Sequence, residues 1–374
     1  LLLPLLSLTL TCVLGYVLSA VTSRMRGKTL VSMIGMLLFF GAYMYASMNL
    51  TKYATALIQN GAAIGEAIRR ALPPFYAFGA AAASGDLWQG ILLVLWCCVP
   101  FAAVAWLIVR GFRAIAIRKQ GAPKLKYKAG TLRVSSVYGA LLRKELKRFF
   151  GTPMYTMNCG FGALLALGLA GYTAFKGPAV LAGIGAAYGM GDMIVPILAV
   201  MLAFLSVMDC STAPSISLEG TNLWILKAHP VPIWSVFWAK ISLNMIVNIV
   251  PMVVVLPLFA FSLDLSAIQV LLLFGVVVVF SAFTALFGLS ANLLFPRLDW
   301  LNETTVIKQS VSTMIAVFGG MVAVIGPALL YAFALSGSMG LELFIVLVLA
   351  FYVLVSAALM WFLNGKGRRI FAGL

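Results

Sequence analysis

The chain is 374 residues long, 63% hydrophobic and only 10% charged, where a soluble domain carries about 45–50% apolar and about 25% charged residues. So few charges could not solvate the surface of a water-soluble fold, and the composition points to lipid as the surrounding solvent. The net charge of +16 does not indicate nucleic-acid binding, because the basic residues lie in short segments between apolar runs and not on one soluble face.

A membrane-crossing helix needs about 20 successive apolar residues. Nine runs meet this requirement, at 2–22, 29–49, 88–109, 154–175, 191–209, 234–262, 267–294, 311–335 and 342–363. The expected fold class is therefore all-α, a polytopic integral membrane helical bundle. The sixth and seventh runs are long enough to hide a kink or an extramembrane turn, and Pro251 and Pro257 favour a kink in the sixth. The chain opens at Leu1 with neither Met nor a charged leader region, which reads as a fragment or a processed start and not as a signal peptide.

Lys and Arg set the expected orientation. With 23–28, 110–153, 210–233, 295–310 and the tail from 364 in the cytoplasm, and Lys240 at the cytoplasmic foot of its span, that side holds 22 of the 26 basic residues. The outer side keeps Lys52, Arg69, Arg70 and Lys176. The C-terminus is then cytoplasmic. In the outer segment 51–87, Ala54 to Leu72 reads as a short surface helix ended by Pro73-Pro74.

The segment 110–153 holds 12 basic residues. From Val137 to Phe150 it is amphipathic, with Tyr138, Leu141, Leu142, Leu146 and Phe149 on one helical face and Arg143, Lys144, Lys147 and Arg148 on the other. That is the pattern of a helix lying in the membrane interface, basic side toward anionic headgroups. Glu145 interrupts the apolar face, either as a snorkelling carboxylate or as one half of an ion pair with a neighbouring segment.

Two stretches echo one another. Each has a long apolar helix entering a short basic loop, followed by two more helices: one passes through Thr22-Ser23-Arg24, the other through Phe295-Pro296-Arg297. If they are equivalent halves, 1–109 holds the last three spans of a first repeat, 110–153 is a linker, and 154–374 is a second, six-span repeat, an arrangement common in transporters.

Catalytic constellations are scarce. His229 is the single histidine, so a His-based triad or an H-E-x-x-H metal site cannot be built. Gly27-Lys28-Thr29 lacks the glycine at position 22, and the strand, that a phosphate-binding loop requires. Asp299 and Glu303, with Lys308 further along the same loop, are the closest carboxylate pair, at helical spacing. All ten acidic residues can be placed at span ends or in loops, which leaves a midplane proton relay unsupported. The five cysteines read as small apolar core residues. No cofactor is implied.

The most informative segment runs from Ser211 to Ile233. Small polar turn formers lead to Glu219-Gly220, then a short amphipathic helix spans Asn222 to Ala228 and is stopped by Pro230 and Pro232. It reads either as an ordinary interfacial helix anchored by Trp224 or as an element that passes movement from a soluble partner into the membrane.

The stretch Ser215-Ile-Ser-Leu-Glu-Gly-x-Asn-Leu-Trp-Ile-Leu-Lys227, with its proline turn and Ala239-Lys240, resembles the permease subunits of bacterial type-2 ABC exporters, in a fused double-length branch. Leu142-Arg-Lys-Glu-Leu-Lys-Arg-Phe-Phe-Gly-Thr-Pro153 and Pro296-Arg-Leu-Asp-Trp-Leu-Asn-Glu303 agree with it. The resemblance implies an interfacial connecting helix at 137–150. It also implies a coupling helix within 219–232 that docks on a separate cytoplasmic ATP-binding subunit, in the bacterial plasma membrane. By the same resemblance the coupling loop of the first repeat lies upstream of Leu1. Glu219 is expected to make a polar contact or cap at the coupling helix, with Gly220 and Pro230 at its ends, Trp224 as anchor and Lys227 toward the partner or a lipid phosphate. An ion-coupled secondary transporter or lipid flippase, and a membrane-embedded enzyme built on Asp299 and Glu303, are the competing classes.

Overall fold

The computed structural model describes residues 3–23, 72–117, 135–176, 194–335 and 338–374, with scattered positions between 35 and 70. Among the described residues all regular structure is helical. The chain divides into two compact units, 1–132 and 133–374.

In the first unit, α1 (Leu3–Ser23) and α2 (Pro73–Ser84) both pack on α3 (Leu87–Ile117). Ala77, Leu93 and Cys97 are buried there, with Leu5 and Leu6 against them. Pro73-Pro74 opens a helix, and the expected helix from Ala54 to Leu72 lies largely outside the described residues. Proline costs nothing in a first turn, whose N–H groups lack intrahelical partners anyway. Gly85 ends α2 in the left-handed conformation at φ 66°.

The second unit begins with α4 (Val137–Gly151), capped by Ser136 accepting from the Gly139 N–H. Next come α5 (Pro153–Cys159) and α6 (Phe161–Lys176), a single apolar stretch bent by 61° between them. Helix α7 (Ile194–Met208) leads into a 3₁₀ turn (Ser217–Asn222) and the short α8 (Leu223–Ala228). The long α9 (Ile233–Leu263) and α10 (Ala267–Leu294) follow, then α11 (Glu303–Gln309), α12 (Val311–Leu330), α13 (Leu341–Phe362) and α14 (Arg368–Gly373). α12 and α13 each run on into a π-helical turn, over Tyr331–Leu335 and Leu363–Gly367.

Among the described residues, five helical stretches are long and apolar enough to cross a membrane: Leu87–Arg110, Ile233–Leu263, Ala267–Leu294, Glu303–Leu335 and Leu341–Gly373. The bent α5–α6 pair makes a sixth if it counts as one span. Nine spans are therefore not recovered among the described residues. In the run 191–209 the described residues form a helix of 15 residues, Ile194–Met208, and 191–193 lie outside them. The first run forms α1 over 21 residues, with Pro4–Tyr16 as a shorter apolar helix within it. The run 29–49 lies largely outside the described residues. α9 stays one helix through Pro251 and Pro257.

α10 is the centre of the second unit. Half of its apolar window is buried, against 11% for the stretch Leu341–Gly373, and it packs on α7, α9, α12 and α13. Its start is set by Ser266 and Gln269, whose side chains cap each other's backbone N–H groups. Leu198, Leu202, Val255, Phe259, Leu273 and Val277 lie at the middle of the apolar core.

One close approach requires glycine. A Cβ on Gly162 would collide with the carbonyl oxygen of Leu205 and sit 2.9 Å from Oδ2 of Asp209. Gly162→Ala is expected to destabilise the second unit by about 1–3 kcal/mol, read as a lower thermal midpoint of the detergent-solubilised protein. An unchanged midpoint would show that α6 and α7 do not meet here.

Candidate functional site

Between α7 and α8 the chain makes a turn in which residues 209–220 are all buried. Irregular backbone in such surroundings must find partners inside the protein, and three side chains from neighbouring helices supply some of them. Asn244 on α9 accepts from the N–H of Ser211 at 2.8 Å and its hydroxyl at 3.1 Å. Asn292 on α10 accepts from the N–H groups of Ile216 at 2.7 Å and Ser217 at 3.1 Å, and donates to the hydroxyls of Ser217 and Ser312. Tyr155 on α5 donates to the Ser211 carbonyl at 2.6 Å.

Asp209 opens this turn. Its two oxygens accept from the N–H groups of Gly162 at 2.7 Å and Ala163 at 2.6 Å, which caps the first turn of α6. It is completely buried and forms no ion pair among the described residues. Asp209 is thus an interior carboxylate, just past the end of α7.

At the far end of the turn lies a buried ionic cluster. Oε1 of Glu219 accepts from Nζ of Lys144 at 2.6 Å and of Lys240 at 3.0 Å, and Oε2 lies 3.1 Å from Nη1 of Arg148. Lys240 also donates to Glu145 at 2.9 Å and to the Ser215 carbonyl at 2.8 Å, so all three ammonium protons are used. The other carboxylate oxygen of Glu145, Oε2, is buried without a hydrogen-bond partner. Three cations from α4 and α9 thus enclose two carboxylates.

This arrangement decides several sequence expectations. Glu145 makes the ion pair and does not snorkel. Lys240 lies near the start of α9, at the foot of its span, and is 1% exposed, inside the packing. Lys144 and Arg148 turn inward to Glu219, and Arg143 and Lys147 stay exposed, so only part of the basic face of α4 is open to headgroups. Glu219 is a polar contact and not a cap: the residue capping α8 is Asn222, without a side-chain hydrogen bond.

Burial alone would raise the Glu219 carboxyl, but Lys240, Arg148 and Lys144 outweigh it and hold the group well below its ordinary value of 4.5. Burial, aided by Lys240, lowers Lys144. A depressed folded value means that the stabilisation by Glu219 is present above 4.5 and is lost as pH falls through the folded value. The thermal midpoint is expected to drop as pH goes from about 6 to about 3, and to drop less in Glu219→Gln. Equal pH profiles for the two proteins would remove Glu219 from this account.

Gly220 turns the chain from the cluster toward α8 at φ 56° and ψ −139°. Its Cβ position is 3.1 Å from the Trp300 ring, which is held by the Trp300 indole donating to the Ser217 carbonyl at 2.7 Å. α8 buries Leu223 and leaves Trp224 63% and Ile225 42% exposed. Lys227 donates to the carbonyl of Ala372 at 3.2 Å, and Pro230 is exposed in the link to α9. Asp299 is exposed in the loop before α11, and Glu303 is half-buried in its first turn, so the two do not share a helix face. Lys308 is exposed near the end of α11. Among the described residues no group of three or more His, Cys, Asp or Glu side chains could hold a metal ion. Asp209, Asn244 and Asn292 escaped the sequence reading; an Asn or Asp within or beside an apolar run was the available signal.

Comparison with protein-family models, with curated proteins and with solved structures finds no match to this chain.

Proposed function

We propose that the chain is the membrane permease of an ATP-driven exporter of the type-2 ABC kind, energised by a separate ATP-hydrolysing subunit that docks on α8. The observation that carries this reading is the placement of Glu219. It stands at the base of a short exposed helix and is bound by cations to two other elements, α4 and α9. A push on α8 would therefore be delivered to α4 and α9 together, through charge-assisted hydrogen bonds that are shorter and stronger than neutral ones. The exposed Trp224 and Ile225 offer the apolar contact, of the kind enriched at interface centres. In this reading the charged end faces the bacterial cytoplasm with the C-terminus, and Arg143 and Lys147 meet anionic headgroups there.

The ion-coupled secondary transporter has one observation in its favour, the buried Asp209 without an ion pair, since an intramembrane carboxylate is a functional candidate. The enzyme reading has no such observation in its favour: Asp299 lies in the loop before α11 and Glu303 in its first turn. Affinity purification of the full-length protein from native membranes in mild detergent separates these classes. A co-purifying ATPase, lost when residues 219–232 are altered, supports the exporter. A chain that elutes alone, without ATPase activity, moves the assignment to Asp209 and ion coupling.

A further inference from the structure

Away from the charged cluster, α7, α10, α12 and α13 enclose a cavity of about 710 Å³, within the range of about 300–1,000 Å³ that ligand sites occupy. Its origin is local. α12 contains Pro327 and passes into the π-helical turn Tyr331–Leu335, an interruption of a kind found often at functional sites. The small side chains of Ala203 and Ala328, both in the lining, leave the space unfilled.

The walls are aliphatic and aromatic, with Phe344 and Val348 from α13 and Ala203 from α7 among them, and no charged side chain lines it. The Tyr331 hydroxyl is already engaged, donating to the Met339 carbonyl at 3.3 Å. The cavity is open sideways. Two of its lining residues, Val200 and Ile325, are about 40% exposed, at 41% and 40%. The neighbouring Leu329 on α12 and Leu347 on α13 are exposed as well. The mouth is thus continuous with the apolar outer faces of two helices of membrane-crossing length.

Three occupants are excluded on physical grounds. Water does not settle in an apolar space that offers it no hydrogen-bond partners. Left empty, its walls would forgo the dispersion contacts that a filling group supplies. An anionic headgroup would find no cation in the lining. Hydrocarbon satisfies every wall, and in a bilayer it stands at the mouth in excess.

We infer that this cavity is a binding site for the acyl chain of a membrane lipid, which enters sideways from the bilayer and leaves its headgroup outside. The site is independent of the exporter reading, since it requires only that these helices lie in lipid.

The test uses the full chain in vesicles of phosphatidylethanolamine and phosphatidylglycerol doped with a phospholipid that carries a photoreactive diazirine at the end of its acyl chain. After illumination, the expected crosslinks fall on peptides of α7 and α13 that line the cavity. Ala328→Trp, which fills the space from a half-buried position, is expected to lower them at least tenfold. Val253→Trp, at a 72% exposed site on α9, is expected to leave them unchanged. Should Ala328→Trp fail to fold, the wild-type crosslinks decide alone. The inference is overturned if cavity peptides gain no more label than the outer face of α9. It is also overturned if label persists in a folded Ala328→Trp protein, or if those peptides crosslink to residues 1–132 in place of lipid.

Discussion

A Glu219→Gln protein is expected to lose about tenfold in transport-coupled ATP hydrolysis, within the span typical of coupling between two sites, while remaining folded. Glutamine keeps the shape of the side chain and one acceptor oxygen, but it removes the charge that gathers Lys144, Arg148 and Lys240 at the base of α8. With Glu145 as the remaining carboxylate, the cluster passes from one excess positive charge to two. Lys144 is 36% exposed and Arg148 22% exposed at their side chains, so both can turn toward water, which limits the cost in stability. What is lost is the charged connection, while Leu223 of α8 stays in the apolar cluster that holds Leu141 of α4 and Val236 and Phe237 of α9. The decisive comparison measures ATP hydrolysis by the complex with and without substrate, with the thermal midpoint of the same preparation. Wild-type coupling in a folded Glu219→Gln protein would dismiss this residue as the link between α8 and the bundle.

Lys240→Met should have the largest effect on stability, about 3–5 kcal/mol, the cost of removing one partner from a buried ion pair. The Lys240 side chain is fully buried and Glu145 is 3% exposed. Without the ammonium, Glu145 retains only Lys144 at 3.9 Å, and the Ser215 carbonyl loses its donor. For a unit of this size the thermal midpoint should fall by roughly 10 °C. Adding Glu145→Gln removes the orphaned charge and should restore part of the loss, so the double-mutant cycle gives a favourable coupling energy. A strictly additive double variant would mean that Lys240 and Glu145 do not interact.

The structure also explains which parts of this site were legible in the chain. Glu145 stood out in the sequence because a carboxylate in the middle of an apolar helical face demands an explanation, and an ion pair was one of two on offer. Its partner was not legible, since Lys240 lies 95 positions away, and only packing of α4 against α9 brings them together. Lys144 and Arg148 belong to a basic face that reads as outward-facing. A helical wheel assigns one face to water or headgroups without knowing that another segment covers part of it. Asp209 shows the converse. Next to an apolar run it reads as a boundary residue, and it becomes an interior one because the chain beyond it folds back into the bundle.

Composition and the spacing of apolar runs determined, by themselves, that the protein is helical and that its long helices suit lipid. They also located the amphipathic helix at 137–150 and the short helix before Pro230. These are local properties: the solvent a segment prefers and the period of its side chains are fixed within some twenty residues. Only the tertiary structure decided which runs form helices long enough to cross a membrane, that residues 209–220 are buried, and that five charges from three segments meet at Glu219 and Lys240. Those outcomes depend on partners 75 and 95 residues apart in the chain. A buried charge also gains its place only where its counter-charges are carried to it by packing that no single segment encodes.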